Sequence, residues 1–300
     1  MAVTGRTALL QLLGAAVCWS FAGSFIHYLS VHLSIITQSA WRYLFAGAAL
    51  FILCGIVFRK ELRMGRPVFG HMLLASLSGT VFQLCWVKAL YLIKPGSASL
   101  IAELGTVLNI LVLSLFYREE RRTAKSGLFI ASTVVMLSGA LMIVIFHPAA
   151  AFDFNLGALF VVCSSLCWGF YNVELKKVLD EGAHPVAAMA YIALFISGFH
   201  FLVSAFAGNP AEFLSAPPRI MLIVAVSGVV SIAASFSLYH IAVNRVGALI
   251  SNNSLMLISV LACVWSYFLF DERLVPLQIA GGVLLLFGGY LTSRVEYKKE

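Results

Sequence analysis

The tetrapeptide Cys18-Trp19-Ser20-Phe21 is followed, 149 residues later, by Cys167-Trp168-Gly169-Phe170. A second pair of matches has nearly the same spacing, since Pro95-Gly96-Ser97-Ala98 is matched by Val246-Gly247-Ala248 at an offset of 151. A regular offset near half the length of a 300-residue chain is typical of an internal repeat. The sequence therefore predicts two copies of one structural unit, which we place at residues 1–147 and 148–300.

The composition indicates that these units lie in a membrane. Hydrophobic residues make up 61% of the chain, charged residues only 11%, and the mean hydropathy is +0.96. A soluble domain carries roughly 25% charged residues, so this chain lacks the charge to cover a water-facing surface. A disordered chain, a disulfide-rich secreted domain and a sizeable aqueous catalytic domain are excluded. We predict an all-α polytopic membrane protein.

Ten apolar runs are each long enough for the roughly 20 residues that cross a bilayer as a helix. We number them spans 1 to 10 in chain order, and each half of the chain holds five. An odd number of spans makes the second repeat enter the membrane upside down relative to the first, which predicts two inverted five-helix repeats. The runs are 8–28, 35–58, 71–93, 97–117, 127–146, 156–175, 185–207, 219–243, 247–270 and 275–293.

The distribution of Lys and Arg predicts the orientation. With the amino terminus inside, fifteen of the 20 basic residues lie in inner segments, and only Lys94, Arg219 and Arg273 lie in outer ones. Cytoplasmic loops are enriched in Lys and Arg, so both termini are expected to face the cytoplasm, as in a multi-pass protein of the cell inner membrane. This bias accounts for the net charge of +7 without a nucleic-acid partner. The first apolar run is too long for the core of a cleaved signal peptide.

Motifs in both halves resemble those of a transporter family. Spans 1 and 6 each contain a Trp, a small residue and an aromatic residue, and Arg42-Tyr43 lies in span 2. Glu120 and Glu272 follow spans 4 and 9 and precede Gly-containing terminal spans. In order and spacing these features resemble the drug/metabolite transporter superfamily, namely bacterial exporters with two EamA-type repeats.

The resemblance is strongest to the YddG-type exporters of aromatic amino acids. It implies a secondary transporter that exports aromatic or other bulky hydrophobic amino acids by alternating access, through a central cavity between the repeats. Many members carry a Pro in the middle of spans 4 and 9, where this chain has Thr106-Val107 and Ile258-Ser259. A broad-specificity drug or metabolite exporter is the alternative, and a lipid scramblase with a groove open to the bilayer is a less favoured one.

Polar and aromatic side chains in the middle of spans are the candidate substrate-binding residues. Charged or polar groups at this depth are costly unless they face protein or water. The two tryptophans could stack on an aromatic substrate, or they could simply pack. The candidates are Trp19, Lys88, Glu103, Trp168, Tyr171, Asn172, Tyr239, His240 and Asn253.

Three polar features have a structural as well as a functional interpretation. Lys88 and Glu103 flank the turn between spans 3 and 4 at similar depth, either as a wall of the translocation path or as a buried ion pair. Arg42 could bind a substrate carboxylate, snorkel to the interface, or pair with a carboxylate such as Glu103. The stripe Ser227, Ser231, Ser235, Tyr239 in span 8 could mediate helix packing or line a cavity.

Other chemistries have no sequence signal. The chain has no G-x-x-x-x-G-K-[ST] loop and no H-E-x-x-H motif, so we expect neither nucleotide hydrolysis nor enzyme activity. The six cysteines form no Cys-x-x-Cys pair, and we expect no metal site and no cofactor. The expected partners are a small-molecule substrate and the lipid bilayer, and the sequence leaves open whether the protein is a monomer or an oligomer.

Overall fold

The computed structural model describes residues 2–146, 152–209, 211–246 and 248–294, with the side chains of 7–118, 120–146, 153–209, 211–242 and 255–294. In these ranges the regular structure is helical. The helices are α1 (Ala2–Leu29), α2 (Ile35–Val57), α3 (Arg66–Leu92), α4 (Pro95–Ala102), α5 (Leu104–Phe116), α6 (Arg118–Ala124), α7 (Gly127–Ile145), α8 (Phe152–Asp180), α9 (Pro185–Ala207), α10 (Pro218–Gly228), α11 (Ser235–Val246), α12 (Ala248–Phe270) and α13 (Pro276–Ser293), with a 3₁₀ turn at Arg59–Leu62 and a π-helical segment at Val229–Ala234.

Proline and serine residues determine where several helices begin. Pro95, Pro185, Pro218 and Pro276 each lie in the first turn of a helix, where the missing N–H costs nothing. Ser126 caps α7, because its hydroxyl accepts a hydrogen bond from the Phe129 N–H. The short connections that result leave most of the described chain within helices.

Nine helical segments of the described chain are long and apolar enough to cross a membrane. The apolar part of α12 that is described in full, Leu255–Phe270, is shorter than these nine. Large apolar side chains such as Phe206 and Phe268 are 85% and 74% exposed, which suits a surface that faces lipid. A multi-pass architecture is therefore supported, and the count of ten spans stays a prediction.

Two spans are irregular. The fourth is divided into α4 and α5 at Glu103, where the Glu103 N–H donates to the Leu100 carbonyl and its own carbonyl accepts from the Thr106 N–H. The eighth consists of α10, the π-helical segment and α11. Hydropathy predicted each of these spans as a single apolar run, and neither interruption was expected.

The packing pattern relates the two halves of the chain. Span 3 packs on span 6 and span 8 packs on span 1, while span 4 also contacts span 6 and span 9 contacts span 1. Spans 2 and 7, 4 and 9, and 5 and 10, which are equivalent positions in the two halves, also pack together, and so do spans 2 and 8 and their counterparts 7 and 3. This set of contacts is unchanged when the two halves are exchanged, as expected for a two-repeat architecture.

Glycine permits the closest of these helix contacts. A Cβ on Gly139 of α7 would lie 2.5 Å from the Gly281 carbonyl oxygen, and one on Gly281 of α13 would lie 2.6 Å from the Gly139 carbonyl oxygen. Small residues allow membrane helices to approach at backbone distance. Gly139 and Gly281 therefore allow spans 5 and 10 to pack closely.

Candidate functional site

The first aromatic cluster lies between spans 1 and 8. The ring of Trp19 lies 5.3 Å from that of Tyr239, at an interplanar angle of 57°. Tyr239 in turn meets His240 edge-on at 5.2 Å, and His240 lies 4.1 Å from Phe236. Three of the predicted site residues are therefore neighbours in space, although Trp19 and Tyr239 come from different repeats.

The second aromatic cluster lies between spans 6 and 3. Trp168 stacks on Tyr171, with the ring centroids 4.7 Å apart and an interplanar angle of 14°, and its ring also lies 5.1 Å from that of Phe82. Tyr171 is only 2% exposed, and its hydroxyl donates to the sulfur of Met189 at 3.6 Å. Both tryptophans border one hydrophobic core to which spans 2, 3, 6, 7 and 8 contribute.

Asn172 has a polar partner that sequence reasoning missed. Its Nδ2 donates to Oδ1 of Asn109 in α5 at 2.9 Å, which joins span 6 to span 4. Asn109 was detectable as one of few amides within an apolar run, but nothing in the sequence showed that it faces span 6. Asn253, the last predicted site residue, has a side chain outside the described residues.

An ion pair between Lys88 and Glu103, one of the two interpretations of these residues, is absent from the described structure. Glu103 instead accepts a hydrogen bond from the hydroxyl of Ser259 in α12, and Lys88 is half-buried in α3. Equal depth in two neighbouring helices does not make two side chains face each other, because each helix also has its own rotation about its axis. The sequence argument fixed the depth and could not fix the rotation.

Arg42 neither snorkels nor pairs with Glu103. It is 1% exposed, and its Nε donates to Ser227 Oγ at 2.7 Å while Nη2 donates to Ser231 Oγ at 3.3 Å. Two serines of the predicted stripe thus bind a buried guanidinium across the interface between spans 2 and 8. The backbones approach closely here, because a Cβ on Gly228 would clash with the Arg42 carbonyl oxygen.

A set of contacts that we call the latch joins the two halves at the turn between spans 3 and 4. The carboxylate of Glu272 accepts hydrogen bonds from the Gly96 N–H at 2.8 Å, from the Ser97 N–H at 2.8 Å and from the Ser97 hydroxyl at 2.6 Å, and also from the Ser266 hydroxyl. Lys94 Nζ donates to the Phe270 carbonyl at 2.8 Å. An anion thus lies at the start of α4 and a cation at the end of α12, the placement that helix dipoles favour.

At the opposite end of the bundle, the carboxylates lie beside basic side chains. His71 Nδ1 and Lys177 Nζ each lie 2.7 Å from the Glu174 carboxylate, so α3 is tied to α8. Lys176 Nζ lies 3.8 Å from the carboxylate of Glu120, which is the repeat counterpart of Glu272. Glu120 and Glu272 therefore occupy equivalent sequence positions, but a lysine lies beside Glu120 while backbone and hydroxyl groups donate to Glu272.

Two pockets of the described chain are lined by residues outside these clusters. One, of about 560 Å³, is lined by Ser34, Leu84 and Glu212 among others, and a smaller one lies beside Phe170. No predicted site residue lines either of them, so a central cavity stays a prediction. Within the described ranges no three His, Cys, Asp or Glu side chains are arranged to hold a metal ion.

Comparison with known proteins identifies the family. The family model described as the EamA-like transporter family matches this chain twice, over residues 6–145 and 155–294. The chain belongs to this family. It is accordingly a multi-pass membrane transporter rather than an enzyme, and it has a small-molecule substrate and a lipid bilayer as partners.

One curated protein and one solved structure are also similar to this chain. An uncharacterized transporter of Haemophilus influenzae (strain ATCC 51907 / DSM 11121 / KW20 / Rd) is 24% identical over 284 residues, covering 91% of this chain and 93% of that protein. A crystal structure of a protein with 18% sequence identity has a TM-score of 0.66 and covers 95% of this chain and 96% of its own. The second comparison concerns the fold alone.

Proposed function

We propose that this protein is a secondary transporter that exports aromatic or other bulky hydrophobic amino acids across the inner membrane. The proposal includes ten spans arranged as two inverted repeats, with both termini in the cytoplasm. The observation that supports it most is the pair of aromatic clusters around Trp19 and Trp168, which border one core at the repeat interface. Aromatic rings that stack on a substrate ring contribute about 0.5–1.5 kcal/mol beyond the buried area.

Purified protein in proteoliposomes with an imposed substrate gradient tests the substrate. Labelled phenylalanine is followed while tryptophan, threonine, an organic cation and a sugar compete with it. We expect saturable phenylalanine flux that tryptophan blocks most strongly. Equal competition by the organic cation would instead indicate a drug or metabolite exporter. Flux no greater than that of empty liposomes, with and without a pH gradient, would refute amino-acid transport.

The proposed mechanism is alternating access between the two repeats. A substrate site at a repeat interface becomes accessible to each side in turn when one repeat moves against the other. The latch supports alternating access, because it consists of hydrogen bonds between the span 3–4 turn of one repeat and the residues around Glu272 in the other. In the proposed cycle these bonds break when the site opens to the outside, and they form again when it opens to the cytoplasm.

Labelling of Cys263 reports whether the latch opens. Its sulfur lies 3.7 Å from the Gly96 carbonyl oxygen, directly under the turn. In a background without the other five cysteines, an impermeant thiol reagent is applied from outside. We expect Glu272→Gln to speed the labelling of Cys263 roughly tenfold, because it removes charge-assisted hydrogen bonds that stabilise the closed state.

The matched control for this variant is Asp271→Asn. Asp271 is the adjacent carboxylate, and its side chain is 75% exposed and bonded to Arg273. The Asn variant removes the same charge without breaking a hydrogen bond between the repeats, so its labelling rate should equal that of the parent. An unchanged rate in Glu272→Gln would contradict the latch as a gate while leaving the substrate proposal intact.

A further inference from the structure

The layer of the bundle around Arg42 contains several buried polar atoms that lack a hydrogen-bond partner in the described structure. They are Arg42 Nη1, Gln83 Nε2, Gln38 Oε1 and His200 Nε2. The exposed fractions of these four residues are 0% to 4%, so bulk water does not reach them. Buried polar groups without partners are rare and costly, and several in one layer need an explanation.

The existing hydrogen bonds show whether each of these free atoms is a donor or an acceptor. Gln83 Oε1 accepts from the Tyr43 hydroxyl at 3.4 Å, so its amide N–H groups are the free donors. Gln38 Nε2 donates to the Tyr91 hydroxyl at 2.6 Å, which leaves its carbonyl oxygen as a free acceptor. His200 Nδ1 lies 2.8 Å from the Ile196 carbonyl and must donate to it, so Nε2 of the neutral ring is also an acceptor.

These four residues come from three helices. Gln38 and Arg42 are one turn apart on α2, and Gln38 is hydrogen-bonded to Tyr91 of α3. The ring of Tyr43, whose hydroxyl binds Gln83, lies parallel to the His200 imidazole of α9, with the centroids 6.4 Å apart. The layer lies about 10 Å from the start of α2 at 1.5 Å per residue.

The local structure of span 8 is adapted to the guanidinium. Ser231 belongs to the π-helical segment, and Ser227 lies one turn before it in α10. π-Helical turns are rare and occur frequently at functional sites. The two serine hydroxyls satisfy Nε and Nη2 and leave Nη1 free, while within the described chain no carboxylate forms an ion pair with Arg42. A buried cation with one free edge is suited to bind an anion in the plane of its fork.

We propose that Arg42 binds the carboxylate of the transported substrate, with the Gln83 amide as a second donor. This inference rests on the proposed function, because it assigns a group of the transported amino acid to a place in the molecule. The free acceptors on Gln38 and His200 favour a substrate that also carries an ammonium group over an inorganic anion. Arg42 is buried in this structure, so the substrate reaches it when spans 2 and 8 separate.

Thermal stabilisation of the purified protein by three related compounds tests the proposal. Phenylalanine has a carboxylate and an amine, 3-phenylpropionate has only the carboxylate, and phenethylamine has only the amine. We expect phenylalanine and 3-phenylpropionate to raise the melting temperature of the wild type, and phenethylamine and sodium chloride at equal concentration to leave it unchanged. Equal stabilisation by phenethylamine, or none by either carboxylate, would overturn the inference.

Substitutions at Arg42 assign the effect to this residue. Arg42→Gln should abolish the stabilisation by 3-phenylpropionate, and Arg42→Lys, which keeps the charge without the planar fork, should weaken binding by on the order of tenfold. The melting curve of each variant without ligand shows whether it is folded. The matched control is Arg219→Gln, since Arg219 is an exposed arginine of α10. If 3-phenylpropionate stabilised Arg42→Gln as much as the wild type, the proposal would be overturned.

The flux assay separates this proposal from the proposed function. Carboxylate-dependent stabilisation without phenylalanine flux would refute the export of aromatic amino acids and retain the carboxylate site at Arg42. Phenylalanine flux that is unchanged in Arg42→Gln would refute the carboxylate site at Arg42 and retain the export of aromatic amino acids. The two failures are therefore distinguishable with the same set of purified variants.

Discussion

Trp19 and Trp168 occupy equivalent positions in the two repeats but have different surroundings. Trp168 is covered by Tyr171, three residues later on the same helix, and by Phe82 of span 3. The residue three places after Trp19 is Ala22, and among the described rings only Tyr239 lies against that tryptophan. The helical frame and its tryptophan recur in both halves and both indoles are half-buried, but only Trp168 has a second ring from its own helix stacked on it. Trp19 is therefore the better candidate for stacking on a substrate.

Removing the covered tryptophan should have the largest effect, and the effect should be on stability. Trp168→Ala deletes a ring that contacts two other aromatic rings, and we expect a loss of about 3 kcal/mol in the free energy of unfolding. Thermal unfolding in detergent measures it, with Trp19→Ala as the matched variant that should lose less. Equal melting temperatures of the two variants would show that the difference between the clusters has no energetic meaning.

Removing the available tryptophan should affect transport instead. We expect Trp19→Ala to lower kcat/KM for phenylalanine roughly five- to tenfold, because a stacking contact contributes about 0.5–1.5 kcal/mol. The measurement is initial flux in proteoliposomes, corrected for the amount of folded protein. Trp19→Phe should keep much of the activity. A greater loss of corrected flux in Trp168→Ala than in Trp19→Ala would reverse the assignment.

Covering Trp19 should have the smallest effect of the three. Ala22→Tyr introduces into span 1 the residue type that covers Trp168 in span 6. We expect affinity for phenylalanine to fall by about threefold, because the new ring competes with the substrate for one face of the indole. Inhibition of flux by unlabelled tryptophan gives the affinity. Ala22→Ser is the control, because it changes the same residue without adding a ring. Unchanged affinity in Ala22→Tyr would mean that the substrate approaches from elsewhere.

The sequence predicted the helical frame better than the contacts within it. Spans 2, 5 and 7 were placed within a residue of the observed helices, because long apolar runs bounded by polar and proline residues mark the ends of membrane helices. The division of span 4 at Glu103 and the π-helical segment of span 8 were missed. Each changes the hydrogen bonding of a few backbone groups without changing the average hydropathy.

The candidate site was predicted in part. Trp19, Tyr239 and His240 were grouped by their position in the middle of spans, and they are neighbours in the structure. Of the two interpretations of Lys88 and Glu103, the ion pair is not seen between the described side chains, since depth along a helix does not determine rotation about its axis. Arg42 stayed outside the predicted site, because the sequence does not reveal which of its nitrogen atoms have partners.

The π-helical segment Val229–Ala234 also determines how span 8 tolerates changes in length. Upstream of it Ser227 binds Arg42, and downstream of it Tyr239 lies against Trp19. Because each residue of an α-helix advances the rotation by about 100°, deleting one residue from the segment would turn one of these faces away from its partner. The wider π-helical turn thus determines how the Ser227 face and the Tyr239 face of one helix are rotated relative to each other. Homologues that lack it would need a compensating shift elsewhere in the span.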